Sequence, residues 1–330
     1  MKSYFSNLKR SNFPFGIYLI MFASIAVYFL IMAGNADPKH FINVLRQNAP
    51  LGIAAIGQTI VLLIGGVDLS MGSVISITNI IACAVMVGDP SKISITVIVC
   101  FAFALFIGLL NGLAISKIKM PAFLATEAMA IVIQGVYLLY TGGSPGGRIA
   151  EEFRVISDGW VLNLVPIAFI IWVSLWVIVS VVLNKTVTGR RIFISGGNPI
   201  AGRLSGINTD WYIIGCFMAS AALACVTGLL LSAYVGVTSS GIGESYTLAT
   251  LACVVIGGTA FTGGKGSVEG TFAGVMIMVV LQTILSMLGV PSAGRQVIEG
   301  VMVLIILAIN LNRPSRPAHF YSGKNKIKEN

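Results

Sequence analysis

Groups that do chemistry are scarce in this sequence. Two histidines, five cysteines and twelve acidic residues are all that its 330 positions offer for proton transfer, redox or metal binding. Neither histidine stands in an apolar run: His40 falls in a loop and His319 in the tail, so no Ser/His/acid set is credible. No G-x-S-x-G elbow occurs, and no His/Cys/Asp cluster has metal-ligand spacing. The cysteines (Cys83, Cys100, Cys216, Cys225 and Cys253) form no Cys-x-x-Cys pair and lie inside apolar runs. They are read as small hydrophobes between helices. Nothing in this inventory supports a catalytic site, a cofactor or a metal.

Charge of either sign is also thin, at 10% of residues against about 25% in soluble domains. Hydrophobic residues make up 56%, and the mean hydropathy is +0.91. A soluble fold of this length leaves too much surface wet to hide so many apolar side chains, so lipid is the expected solvent. The net charge of +9 does not point to nucleic acid, because the basic residues fall in short tracts between apolar segments and in the tail.

Ten apolar stretches are expected to span: 15–33, 50–66, 70–88, 93–115, 121–141, 161–183, 211–233, 246–261, 267–289 and 296–312. The first follows Lys9 and Arg10, but it is too long for a signal h-region and is expected to stay as an anchor. With both termini cytoplasmic, fifteen of the 21 Lys and Arg residues fall on the inner side, as the positive-inside rule requires. This divides the chain into an N-terminal segment (1–14), a membrane region (15–312) and a basic tail (313–330). The fold class expected is an all-α polytopic membrane protein. Its longest outer loop, 142–160, is read as a surface loop, and its longest inner loop is 184–210.

"GGTAFTGGKGSVEGT" (257–271) has the texture of a phosphate loop but not its spacing. Thr259 stands where the first Gly belongs, and Gly266 rather than Ser or Thr follows Lys265. Gly264, Lys265 and Gly266 are therefore expected in a tight turn. "IGGVDLSMGSV" (64–74) echoes "IGGTAFTGGKGSV" (256–268), either as an internal repeat or by chance among 37 glycines. Gly65 and Gly66 break one span there, and Asp68 or Ser70 is expected to cap the next helix. Direct contact of Asp68 with a solute is the alternative.

Polar residues inside spans are candidates for a translocation path, or glue between helices: Gln58, Asn79, Asn111, Gln134 and the acid Glu127. Glu269 and Glu299 fall near span ends and are expected to reach water.

Several ordered motifs between about residues 40 and 312 resemble the membrane permease subunit of bacterial ribose/xylose/arabinose/galactose-type ATP-binding-cassette importers. They are "GGVDLSMGSV" (65–74), "NGLAISKIKMPAFLAT" (111–126), "TGG" (141–143), "GRRIFISGGNPIAGRLSGIN" (189–208), "GGTAFTGGKGSVEGTFAG" (257–274) and "RQVIEGVMVL" (295–304). The resemblance implies an ABC importer permease fold, in the plasma (inner) membrane, that forms the path for a sugar or sugar-like solute. It implies three partners: a cytoplasmic ATPase with tandem nucleotide-binding halves, a second permease subunit, and an extracytoplasmic solute-binding protein. The inner loop would hold the helix that couples to the ATPase, through Arg190, Gly197, Asn198, Arg203, Leu204 and Gly206. The residues themselves agree, since Asn198-Pro199 reads as a helix start and Gly206 as its stop. Two positions depart from the family pattern, Glu127 and Arg295. An ion-coupled secondary transporter is the rival reading, weakened because Glu127 is the one acid well inside a span.

Overall fold

The computed structural model describes residues 14–32 and 38–311. All of the N-terminal segment except Pro14, and the basic tail with His319, lie outside the described residues. The helices in chain order are α1 (Phe15–Ile31), α2 (Pro38–Leu63), α3 (Met71–Met86), α4 (Ile93–Ser116), α5 (Ala122–Thr141), the single turn α6 (Val155–Asp158), α7 (Ile167–Lys185), α8 (Val187–Gly197), α9 (Pro199–Leu204), α10 (Thr209–Val235), α11 (Glu244–Ile256), α12 (Val268–Met287) and α13 (Ser292–Leu311). Each expected span overlaps one of these. Among the described residues α4, α5, α7, α10 and α12 are long and apolar enough to cross a membrane, and α1, α3 and α11 are shorter apolar helices.

The bundle is organised around α10, which packs against α4, α2 and α3. Small residues make this closeness possible. Gly108 and Gly112 on α4 form a small-xxx-small pair, and a Cβ on either would stand 2.7 Å from Met218 Cα or 2.6 Å from Ile214 Cα. Without a hydrophobic drive between helices in lipid, such backbone approach is the main source of association. On the other side of α2, Gly52 lies under the ring of the fully buried Trp172 of α7.

Several expectations are corrected. The helix over the second expected span begins at Pro38, well before residue 50, because the more polar stretch 38–49 is helical too. His40 is therefore in a helix rather than a loop, with Nδ1 hydrogen-bonded to Tyr28 Oη at 2.8 Å. The sixth span begins at Ile167. The residues before it form a two-stranded hairpin, Trp160–Val161 with Val165–Pro166, turned by Leu162 and Asn163 at positive φ. The 142–160 segment is no simple surface loop either. It carries a 3-10 turn (Glu151–Arg154) and buries Ile149, Ala150 and Phe153. Asp158 ties it down by pairing with Arg46 of α2 at 2.6 Å and Arg154 at 3.3 Å.

Candidate functional site: a helical platform, a glycine junction and a polar cavity

The 184–210 segment folds into two short helices. Thr186 caps α8 by accepting from the Gly189 N–H (3.2 Å). Asn198 caps α9 in the same way, its Oδ1 accepting from the Ala201 N–H at 2.9 Å, with Pro199 at the first helical position. Gly206, at φ +78°, ends the turn. The helix start and stop read from the sequence are those observed. On α9, Ile200 and Leu204 are 73% and 85% exposed, two apolar side chains one turn apart. Arg190, Gly197 and Asn198 are exposed as well. Arg203 is held by its own chain. Its Nε donates to Thr209 Oγ1 (3.0 Å), and its guanidinium lies 3.4 Å from Asp210, which also pairs with Lys117 and Lys119. That cluster fastens the α4–α5 turn and the start of α10 to the end of α9.

The C-terminus of α8 meets both glycine-rich turns. A Cβ on Gly196 would fall 1.9 Å from the Leu63 carbonyl oxygen, and one on Gly264 would fall 2.4 Å from Gly197 Cα. Gly263 approaches Gly65 in the same manner, with 2.8 Å from its would-be Cβ to the Gly65 nitrogen. The Gly264 N–H is donated to the Leu63 carbonyl at 2.8 Å, so it is not free to cradle a phosphate. Lys265 is exposed, and Gly266 passes against Thr259. The two echoing sequences thus form one three-way backbone contact. Each runs from a helix end through a positive-φ glycine, Gly65 or Gly258, to a serine at the next N-terminus, Ser70 or Ser267.

Asp68 is buried but caps no N–H of α3, contrary to expectation; it fixes the turn before the helix and ties it to α10 instead. Its Oδ1 accepts from the Ser70 N–H (3.0 Å) and hydroxyl (2.6 Å), and its Oδ2 accepts from Ser220 Oγ (2.8 Å) on α10. Ser70 is the N-cap residue, but its hydroxyl makes no cap bond because it turns to Asp68. Gly66 packs against the Phe217 ring.

The candidate path residues separate into three groups. Asn111 donates to Ser70 Oγ at 2.9 Å. Asn79 donates to Ser232 Oγ (3.0 Å) and accepts from the Ser239 N–H (2.8 Å), so both amides tie elements together in the interior. Gln58 is fully buried with neither amide atom hydrogen-bonded. Glu127 and Gln134 are exposed on α5, about a quarter turn round the helix from Thr126, Ile133 and Tyr137, which pack on α3 and α4.

The two acids expected to reach water are both partly exposed, but each is also engaged by the fold. Glu269 is held by Ser180 and by Asn184 Nδ2 (2.8 Å) of α7. Glu299 lines a cavity of about 500 Å³ between α2, α11, α12 and α13. This cavity lies at the ends of α2 and α12 remote from the glycine junction. Gln47, Asn48, Gln282, Gln296 and Arg295 share its wall. The residue-by-residue reading missed it because its polar groups come from four helices distant in sequence. Only the "RQVIEG" stretch, which puts Arg295, Gln296 and Glu299 on one turn and a half of helix, carried a signal.

Comparison with known proteins places this architecture. The family model for the branched-chain amino acid transport system / permease component matches residues 40–307. The ribose import permease protein of Bacillus subtilis (strain 168) is 33% identical over 89% of this chain and 92% of its own length. A probable ABC transporter permease protein of Escherichia coli K12 is 30% identical over 87% of each. The galactose/methyl galactoside import permease protein of the same organism is 27% identical over 94% of this chain and 96% of its own. No solved structure matches. With its apolar helices, its packed bundle and this match across most of its length, the chain is a multi-pass membrane protein belonging to the family of branched-chain amino acid transport system permease components.

Proposed function

We propose that the chain is the permease subunit of an ATP-driven sugar importer, the reading carried by its near-full-length likeness to ribose and galactose import permeases. In this reading a cytoplasmic ATPase with two nucleotide-binding halves hydrolyses ATP, and an extracytoplasmic binding protein delivers the solute. Ten spans place both termini and the 184–210 segment in the cytoplasm. The α9 helix, with Ile200 and Leu204 exposed, docks in a groove of the ATPase. Through Gly196, Gly197 and Gly264, α8 passes the ATPase movement to α2 and α12.

A second copy of the chain covers the open face of α5. A carboxylate facing hydrocarbon costs about 2.5–3.5 kcal/mol even on the mildest scale. Glu127 and Gln134, seven residues apart, lie on one stripe with Ile131 and Leu138. Water and a partner permease satisfy such a stripe where lipid does not. Two α5 helices facing each other form the seam between the copies, with Asn79 and Asn111 serving as interior fasteners of each.

Uptake of radiolabelled ribose and galactose into membrane vesicles tests the reading, with the chain expressed alone or with its ATPase and binding protein. Uptake is expected only from the complete set and only with ATP. Uptake by the chain alone, driven by an ion gradient, would overturn it in favour of a secondary transporter.

A further inference from the structure

We infer that the cavity between α2, α11, α12 and α13 is a binding site for a neutral polyhydroxylated solute of about monosaccharide size, and that Arg295 and Glu299 select it. This rests on the importer reading and adds a site and its specificity residues to it.

Three observations carry the inference. The first is the concentration of polar groups. In a chain with 10% charged residues, one cavity gathers an arginine, a glutamate and the amides of Gln47, Asn48, Gln282 and Gln296. Its volume of about 500 Å³ falls within the range of about 300–1,000 Å³ that small-molecule sites occupy.

The second is an unmet hydrogen-bonding demand. Oε1 of Glu299 is buried with no hydrogen-bond partner, and Oε2 accepts only a long bond of 3.4 Å from Gln282 Nε2. A buried carboxylate oxygen left this way is costly, and a donor arriving in the cavity removes the cost. The neighbouring guanidinium does not supply it. Arg295 and Glu299 are four residues apart on α13 and so share a face, yet no ion pair joins them among the described residues.

The third is the chemistry of that pair. A guanidinium only donates, an ionised carboxylate only accepts, and a hydroxyl does both. Two adjacent hydroxyls of a sugar ring therefore bridge Arg295 and Glu299, while the amides give and take hydrogen bonds around the rest of the ring. The two charges sum to zero. A cationic solute would meet Arg295 and an anionic one Glu299. The four amides, which both give and take hydrogen bonds, match a hydroxyl-rich solute better than a zwitterion with a single charged group at each end. The family departure at Arg295 then has a role: it supplies the donor half of the pair.

The test uses the complete transporter in proteoliposomes, with ribose, galactose and their 2-deoxy analogues as probes. For whichever sugar the wild type carries, Glu299→Gln and Arg295→Gln are expected to lower uptake about tenfold or more. They should also erase the preference for the sugar over its deoxy analogue. Co-purification of the variants with the ATPase should match wild type, a readout that a merely misfolded permease would fail. If either variant does not assemble, Glu299→Asp and Arg295→Lys replace it and should shift the preference ratio. Wild-type rates and an unchanged ratio in assembled variants would overturn the site while leaving the importer reading intact. No uptake of any probe by the wild-type set would instead remove the importer reading and this inference with it.

Discussion

Gly196 leaves no room for a side chain, because a Cβ there would sit 1.9 Å from the Leu63 carbonyl oxygen, and backbone does not yield as a flexible side chain would. Its neighbour Gly197 meets only Gly264 Cα, at 3.4 Å, which is ordinary contact. Gly196→Ala is therefore expected to destabilise the protein by about 1–3 kcal/mol, whereas Gly197→Ala stays near neutral. Melting of the two variants in detergent checks this, and equal melting temperatures would refute the junction as described. At this scale the sequence was legible where a residue acts on its immediate neighbours. Asp68 reaches Ser70 two residues away, and Asn198 caps its own helix. It was opaque where partners are remote. Nothing near Asn79 announces Ser232 or Ser239, more than 150 residues on, so the amide looked as suited to a path as to a fastening. Glu299 looked like a residue at a span end because α13 was expected to start at 296. It starts at Ser292, which carries the carboxylate a turn deeper into the bundle.

The α9 helix is the element whose failure should separate hydrolysis from transport. Gly206 holds φ +78°, which costs an alanine about 1–2 kcal/mol, and Arg203 is fixed by Thr209 and Asp210. Gly206→Ala and Arg203→Ala are expected to leave the protein inserted, since α9 lies outside the packed bundle. Each should lower uptake per ATP hydrolysed at least about threefold, measured in proteoliposomes with the ATPase bound. The replacement of exposed surface ion pairs costs at most about 1 kcal/mol, so loss of fold would not account for the drop. Wild-type stoichiometry in both variants would refute the docking role. Long apolar helices were readable because their composition alone demands lipid. The α8 helix was not, because Gly189, Gly196 and Gly197 interrupt an already short periodic pattern. The hairpin before α7 was hidden by Trp160 and Val161, whose hydrophobicity extended the apparent span to 161.

For the whole molecule, the proposed assembly turns on the open face of α5. Gln134→Cys is expected to form a disulfide-linked dimer when membranes are oxidised, because the seam brings the two α5 helices together. Val177→Cys, equally exposed but on α7, should not. The five native cysteines are buried and give little background. Cross-linking of neither would refute the α5 seam. A link to a different permease chain would keep the seam and make the assembly a heterodimer.

The glycine junction has a mechanical consequence. Where three backbones touch with no side chains between them, nothing in the joint is soft enough to absorb a displacement. Leu63 ends α2 and Gly264 lies four residues before α12, so each helix has one end near the joint and the other in the wall of the polar cavity, with Pro50 interrupting the hydrogen-bond ladder of α2 between them. In the proposed coupling, a shift of the α8–α9 platform is then carried along both helices towards the cavity. Two of the cavity's four walls would shift together, and on the importer reading the pocket's width becomes a readout of the nucleotide state of a protein that never touches it.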